Sequence, residues 1–285
     1  MKFILAFRPR SDGSREMFDY EWGVIHPTLM ITTRSVMRGF KRYAQHRTPD
    51  GVSDELYQYG RHDLGWYAFS DHWLDSLEDL LAMFHGDDYP QRMQPHNFGD
   101  HNFVIELLDG EVIHDQPRPF TGRGGVKLVN FIARREGMEQ TAFAASWNGD
   151  YAENLRRIAA SGLVKRAVLN TQLPLDAATF TGTLFEMGGV QTYAGTEELW
   201  FADLADLRSY LKVVDDDHDT AKVKQELVDA DRSFSMVVVE RVVWDYTADQ
   251  PPPRPAVENP KSLEALLLHQ EKPWGRWNTI EPAHD

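Results

Sequence analysis

Phe18, Trp22 and His26 follow one another at intervals of four, with Pro27 directly after. That spacing puts two aromatic rings on one face of a short helix and ends the helix on an imidazole. Histidine titrates near neutrality when unperturbed, so His26 has the chemistry of a general acid or base. About 125 positions later the framework returns as Phe143, Trp147 and Tyr151. The aromatic pair is kept and a tyrosine takes the place of the histidine, which points to one half with proton-transfer chemistry and one that is mainly structural.

His62 is the second catalytic candidate, on an Arg61-His62-Asp63 loop before an expected strand, where the neighbouring carboxylate of Asp63 is placed to orient or charge it. Trp22, Tyr43, His46, Asp63, Trp66 and Tyr67 are the expected substrate-contacting residues, an aromatic set suited to a flat, apolar ligand. Each has an alternative reading: a helix-end histidine caps carbonyls, and most strand tyrosines are packing residues. His85, Asp87, Asp88, His96, Asp100 and His101 look like metal ligands but match no established spacing, so they read as a polar loop and no metal is expected. Gly122-Arg123-Gly124-Gly125 precedes a strand, whereas a dinucleotide loop follows one, and there is no Gly-x-Ser-x-Gly elbow.

Composition closes further classes. The chain has no cysteine, which removes disulfides, thiol nucleophiles and thiolate metal sites. A formal charge of -14 opposes nucleic acid and anionic lipid as partners. No apolar run approaches the roughly 20 residues of a membrane span, and the opening apolar segment is too short for a secretory signal. The expectation is a soluble cytoplasmic protein without nucleic-acid or membrane partners.

The elements that must position these residues follow from periodicity. Lys2 to Arg8 is a nearly continuous apolar run, as in a strand covered on both faces. The Phe18 helix comes next, then strands at Phe40–His46 and Leu64–Phe69, a helix over Leu74–Phe84 and a strand at His101–Leu108. The order β-α-β-β-α-β is the ferredoxin-like arrangement, and it recurs from Val126 to Trp244, with Trp200 taken as the counterpart of Trp66. The fold class expected is therefore α+β, two fused ferredoxin-like halves. The domains expected are residues 1–115 with the site, a Pro- and Gly-rich linker at 116–125, a mainly structural half at 126–245, and a Pro-rich tail at 246–285 that packs on the body.

The Phe18-x-x-x-Trp22-x-x-x-His26-Pro27 helix, the Gly39-Phe40-x-x-Tyr43 strand and the stretch from Trp66 to Leu81 resemble the EthD family of the dimeric α+β barrel superfamily. The second half is similar through Phe143, Trp147, Gly162 and Trp200-Phe201. The resemblance implies a barrel formed within one chain, leaves room for a homodimer, and implies a catalytic or ligand-contacting role for His26. The activity it favours is a cofactor-free lyase or isomerase acting on an aromatic, phenolic or lactone small molecule, by proton transfer, dehydration or decarboxylation. The alternatives are a cofactor-independent oxygenase of a phenol and a non-catalytic binding protein for a hydrophobic metabolite, with haem binding a weaker reading.

Overall fold

A computed structural model describes residues 1–60, 64–86, 88–93, 98–100, 102–115, 125–186, 188–190 and 193–247. The opening apolar run forms β1 (Lys2–Phe7), buried at all six positions. Ser14 caps α1 (Arg15–Tyr20) by accepting from the Met17 N–H. A π-helical turn over Glu21–Ile25 leads directly into α2 (His26–Thr32), and α3 (Arg34–Gly39) and β2 (Arg42–Arg47) follow. Next come β3 (Ala68–Trp73), α4 (Leu77–Phe84), α5 (Asp88–Met93) and β4 (Val104–Asp115). The chain then runs through β5 (Val126–Ile132), α6 (Gln140–Ser146), a second π turn at Trp147–Tyr151, α7 (Ala152–Ala159) and β6 (Arg166–Gln172). It finishes with β7 (Gly189–Val190), β8 (Gly195–Phe201), α8 (Leu204–Asp216), α9 (His218–Leu227) and β9 (Phe234–Asp245).

These strands do not form two ferredoxin-like halves, and the expected fold class is corrected on that point. They make one sheet in the order β1-β3-β2-β9-β5-β8-β6-β4, and β4 pairs back onto β1, closing an eight-stranded antiparallel barrel. The short β7 lies parallel to β4 outside the ring. The physical cause is the length of β4 and β9, 12 residues each. Leu108 and the residues before it pair with β1, while Leu108 to Asp115 pair with β6. Likewise β9 gives Phe234–Val238 to β5 and Val239–Asp245 to β2. Each long strand therefore satisfies two neighbours, and closure leaves no strand edge in the ring unpaired.

Alternation along the strands sends successive side chains to opposite sides of the barrel wall. Phe3, Leu5 and Phe7 join Phe18, Trp22, Met30 and Phe84 in a layer between the wall and the first helices. Leu128, Phe143, Trp147, Tyr151 and Leu199 build the corresponding layer under the later helices. Ile4, Ala6, Phe69, Val129, Phe131, Phe234 and Met236 fill the barrel itself, where Phe131 and Phe234 stack 4.4 Å apart.

One end of the barrel interior is charged although it is largely buried. Lys127 lies 2.5 Å from Glu198 and 3.3 Å from Glu240, Lys2 pairs with Glu198, and Arg42 spans Asp71 at 2.8 Å and Glu240 at 3.0 Å. Burial pushes the Glu198 carboxyl up, but Lys127 and Lys2 outweigh it and hold the group well below the usual carboxylate range. Removing one member of such a network strands its partner's charge. Lys127→Met is therefore expected to destabilise the protein by about 3 kcal/mol in urea titrations at neutral pH, the low end for a broken buried pair because Lys2 and Arg42 stay on the carboxylates. Adding Glu198→Gln should recover part of the loss, and a double mutant no more stable than the single one would show that the charges are not coupled.

Candidate functional site

A cavity lies between the barrel wall and the first helical layer, under α2. His26 and Met30 reach it from the helix; Phe3, Leu5 and Phe7 from β1; Ser70 and His72 from β3. Phe40, Phe84, Tyr89, Phe98 and Phe185 complete an almost wholly aromatic wall. The water-accessible space is about 10 Å³, enough for about one water.

The π turn at Glu21–Ile25 carries the N–H of His26 to the Glu21 carbonyl and stops where Pro27, which has no N–H, breaks the ladder. It leaves Trp22 fully buried and delivers His26, 7% exposed, to the cavity. The His26 ring meets Phe98 at 5.3 Å and Tyr43 at 6.2 Å. Across from it, His72 stacks on Tyr43 with centroids 5.0 Å apart and its Nδ1 lies 3.2 Å from the Phe3 carbonyl oxygen. Tyr43 thus touches both imidazoles. Burial pulls the His72 pKa down to about 4, so at neutral pH it is an uncharged ring. Ser70 Oγ is buried with no hydrogen-bond partner among the described residues, a state that costs about 1–3 kcal/mol in a folded protein unless a ligand or water satisfies it.

The sequence-derived candidates separate in the structure. His26 reaches the cavity wall and Tyr43 packs against it. His46 lies three residues beyond Tyr43 on the same strand and so points the other way, into the barrel. There it stacks on Phe69 at 4.0 Å, with Glu240 2.8 Å and Lys127 3.0 Å from its Nε2, and burial lowers its pKa. Trp66 stacks on Phe234 at 5.7 Å, on the interior side. Tyr67 faces the helices away from the cavity, donating to Asp19 at 3.1 Å and bonded by Arg47. Burial lifts Asp19 to about 6 against the pull of Arg47. Trp22 is a packing residue beside Phe18 and Phe7, and its carbonyl accepts from Gln45 Nε2 at 2.7 Å. His62 and Asp63 lie outside the described residues, as do the linker at 116–124, most of the tail, and His96 and His101.

Two groups were missed. The third strand is Ala68–Trp73, not Leu64–Phe69: Trp73 stands opposite Lys2 as Trp200 stands opposite Lys127, so Trp73 and not Trp66 is the counterpart of Trp200. That offset kept Ser70 and His72 out of the expected wall. The signal was present in Phe69-Ser70-Asp71-His72-Trp73, whose alternation places Ser70 and His72 together on one face.

Among the described residues, His46, Asp71 and Glu240 bring metal-type donor atoms within 4.8 Å of one another. Lys127 and Arg42 already neutralise these groups, so the set works as an ion-pair network. Asp88 accepts from the Ser35 N–H at 3.1 Å and Asp100 from Arg8 at 2.9 Å, which gives both capping and pairing roles. In the other helical layer Tyr151 stacks on Trp147 at 4.5 Å and donates to Glu197 at 2.6 Å, so it is held by the protein's own carboxylate. No helix among the described residues is long and apolar enough to cross a membrane.

No family model matches the sequence, and no curated protein matches it significantly. Solved structures do match. An anthrone oxidase-like protein superposes with a TM-score of 0.54 at 13% identity, over 88% of this chain and 96% of that one. A putative monooxygenase from Lactobacillus acidophilus NCFM gives 0.42 at 7% identity over 85% and 94% of the two chains. A putative monooxygenase from Fusobacterium nucleatum gives 0.43 at 10% identity over 85% and 92%. The first of these likenesses establishes a shared fold across nearly the whole of both chains.

Proposed function

We propose that this chain is an oxygenase-type enzyme for a flat phenolic or anthrone-like compound, with protein side chains supplying the acid–base step and no metal or organic cofactor taking part. The observation that carries the reading is the composition of the cavity wall, which among the described residues sets two imidazoles and one unpartnered serine hydroxyl in a mostly aromatic surface completed by Leu5 and Met30. An aromatic wall selects a flat apolar substrate, and the few polar groups fix its orientation. His26 takes the proton from an acidic carbon of the substrate. Ser70 donates to the oxygen on which the negative charge gathers, and neutral His72, whose Nδ1–H donates to the Phe3 carbonyl, accepts one further hydrogen bond at Nε2. The resulting carbanion reduces dioxygen, so that a methylene and one O₂ become a ketone and one water.

The likeness to an anthrone oxidase-like protein supports the oxygen-consuming branch. The EthD-like kinship belongs to the same reading, through Phe18, Trp22, His26 and Pro27. The lyase or isomerase expected from the sequence shares the first step, proton abstraction, and parts from it when oxygen enters. The test is to incubate chelator-treated protein with a pool of phenols, anthrones and lactones, following dissolved oxygen and product mass. Oxygen uptake with a matching mass gain is the expected result. Deuterium exchange or loss of carbon dioxide without oxygen uptake would replace the oxygenase reading with the lyase or isomerase one, and no conversion with tight binding would leave a binding protein.

A further inference from the structure

Among the described residues, every one lining the cavity belongs to the chain up to β4 except Phe185. It comes from the long connection between β6 and β8. That connection leaves β6 with the Leu173 N–H on the Leu107 carbonyl at 2.8 Å and returns as β7 with the Gly189 N–H on the Phe103 carbonyl at 2.8 Å. The return is tight at Gly188: a Cβ there would stand 2.4 Å from Ile105 Cδ1 and 2.6 Å from Phe103 Cε2, so those side chains would have to shift. Between these anchors the connection turns its apolar side chains inward, and Leu175, Phe180 and Phe185 are buried in the first helical layer.

Phe185 packs on Phe84 at 4.5 Å and edge-on to Phe3 at 5.8 Å. Its backbone is set by a local turn, in which its N–H donates to Thr183 Oγ1 at 3.1 Å and Thr183 Oγ1 donates to the Phe180 carbonyl at 2.7 Å. The flanking Thr181, Gly182 and Glu186 are exposed. Phe3 is fixed in the barrel wall and Phe84 in a helix, whereas Phe185 sits in a turn flanked by these exposed residues and by half-buried Thr183 and Leu184. Space for about one water cannot admit an aromatic ring. A flat substrate must therefore take the place of a ring already in the wall.

We infer that Phe185 is the specificity-determining residue of this cavity: its ring occupies the place of the substrate's outer ring, and the β6–β8 connection sets how large a substrate enters. The inference rests on the reading of this cavity as the substrate site. It predicts that shortening Phe185 opens an apolar hole against Phe84 and Phe3, of the class that takes up a benzene-sized guest.

The test is calorimetric titration of phenol into the protein and into its Phe185→Ala and Phe185→Leu variants, each checked for a native circular dichroism spectrum. The alanine variant is expected to bind at least about tenfold more tightly than the parent, with leucine in between, as a preformed apolar cavity gains a guest that otherwise displaces a ring. A folded alanine variant with unchanged affinity overturns the inference, and if alanine does not fold the leucine variant decides by the same criterion. His26→Ala and Ser70→Ala separate this result from the chemistry. If both keep full turnover while Phe185→Ala still gains the guest, the oxygenase reading fails and the size-limiting role stands. If both lose turnover while Phe185→Ala gains nothing, the site stands and the role of Phe185 falls.

Discussion

Replacing His26 with alanine is expected to lower turnover of the true substrate by at least about 10²-fold, the contribution of a positioned acid–base group, while leaving the fold intact. The ring stands at the end of the π turn and contacts Phe98 and Tyr43 across the cavity edge, so its loss enlarges a cavity that already exists instead of opening a new one in the core. His26→Gln keeps polarity and approximate size but cannot carry the proton, and it should be as slow as alanine. His72 behaves differently. Its pKa of about 4 makes it a neutral ring throughout the physiological range, so the pH–rate profile should show no ionisation from it above about pH 5. His72→Ala removes the stack on Tyr43 and the contact to the Phe3 carbonyl, and should lower stability as well as rate. Full activity in His26→Ala, measured as oxygen uptake with a native thermal melt, would take His26 out of the mechanism.

How much of this was legible in the sequence depends on how local each signal is. Phe18, Trp22 and His26 lie within one stretch of helix, and spacing alone put Phe18 and Trp22 on one face, where their rings pack 5.6 Å apart. Closure of the barrel is not local. It depends on β4 continuing past Leu108 through Asp109-Gly110-Glu111 into pairing with β6, and that polar stretch reads as the end of a strand. The register of β3 slipped because Trp66 and Trp73 are equally good aromatic markers, and only the pairing with Lys2 tells them apart. His46 was assigned to the site by its type, although its distance of three from Tyr43 puts it on the opposite face. Phe185 could not be found by any periodicity, since it crosses from the later part of the chain to a cavity built by the earlier part.

The buried carboxyl of Glu106 carries a large expected effect of pH on stability across neutrality. It points into the barrel with both oxygens unpartnered among the described residues, and burial, with the nearby Glu198 charge, raises its pKa from 4.5 to about 8. The native protein therefore holds a proton on Glu106 at pH values where the unfolded chain has released it. Where the native state binds more protons, the free energy of unfolding falls as pH rises. The stabilisation is full below about pH 4.5, declines through neutrality and is gone above about pH 8. The slope approaches about 1.4 kcal/mol per pH unit and the total about 4 to 5 kcal/mol at most. Glu106→Gln has no proton to lose, so in urea titrations from pH 4 to pH 9 it should match the parent at the acid end and exceed it by up to that amount at the basic end. His72 contributes in the opposite sense, since its depressed pKa removes stability as pH falls from 6.5 towards 4, but it is present in both proteins and cancels in the difference. Glu106→Leu should be more stable still, because it also removes an unsatisfied buried polar group. A flat difference between the glutamine variant and the parent would mean that Glu106 ionises inside the barrel. The ionised group would then face the Glu198 carboxylate, which repels it, and Lys2, which attracts it, without the water that burial removes, and that cost is what a protonated Glu106 avoids.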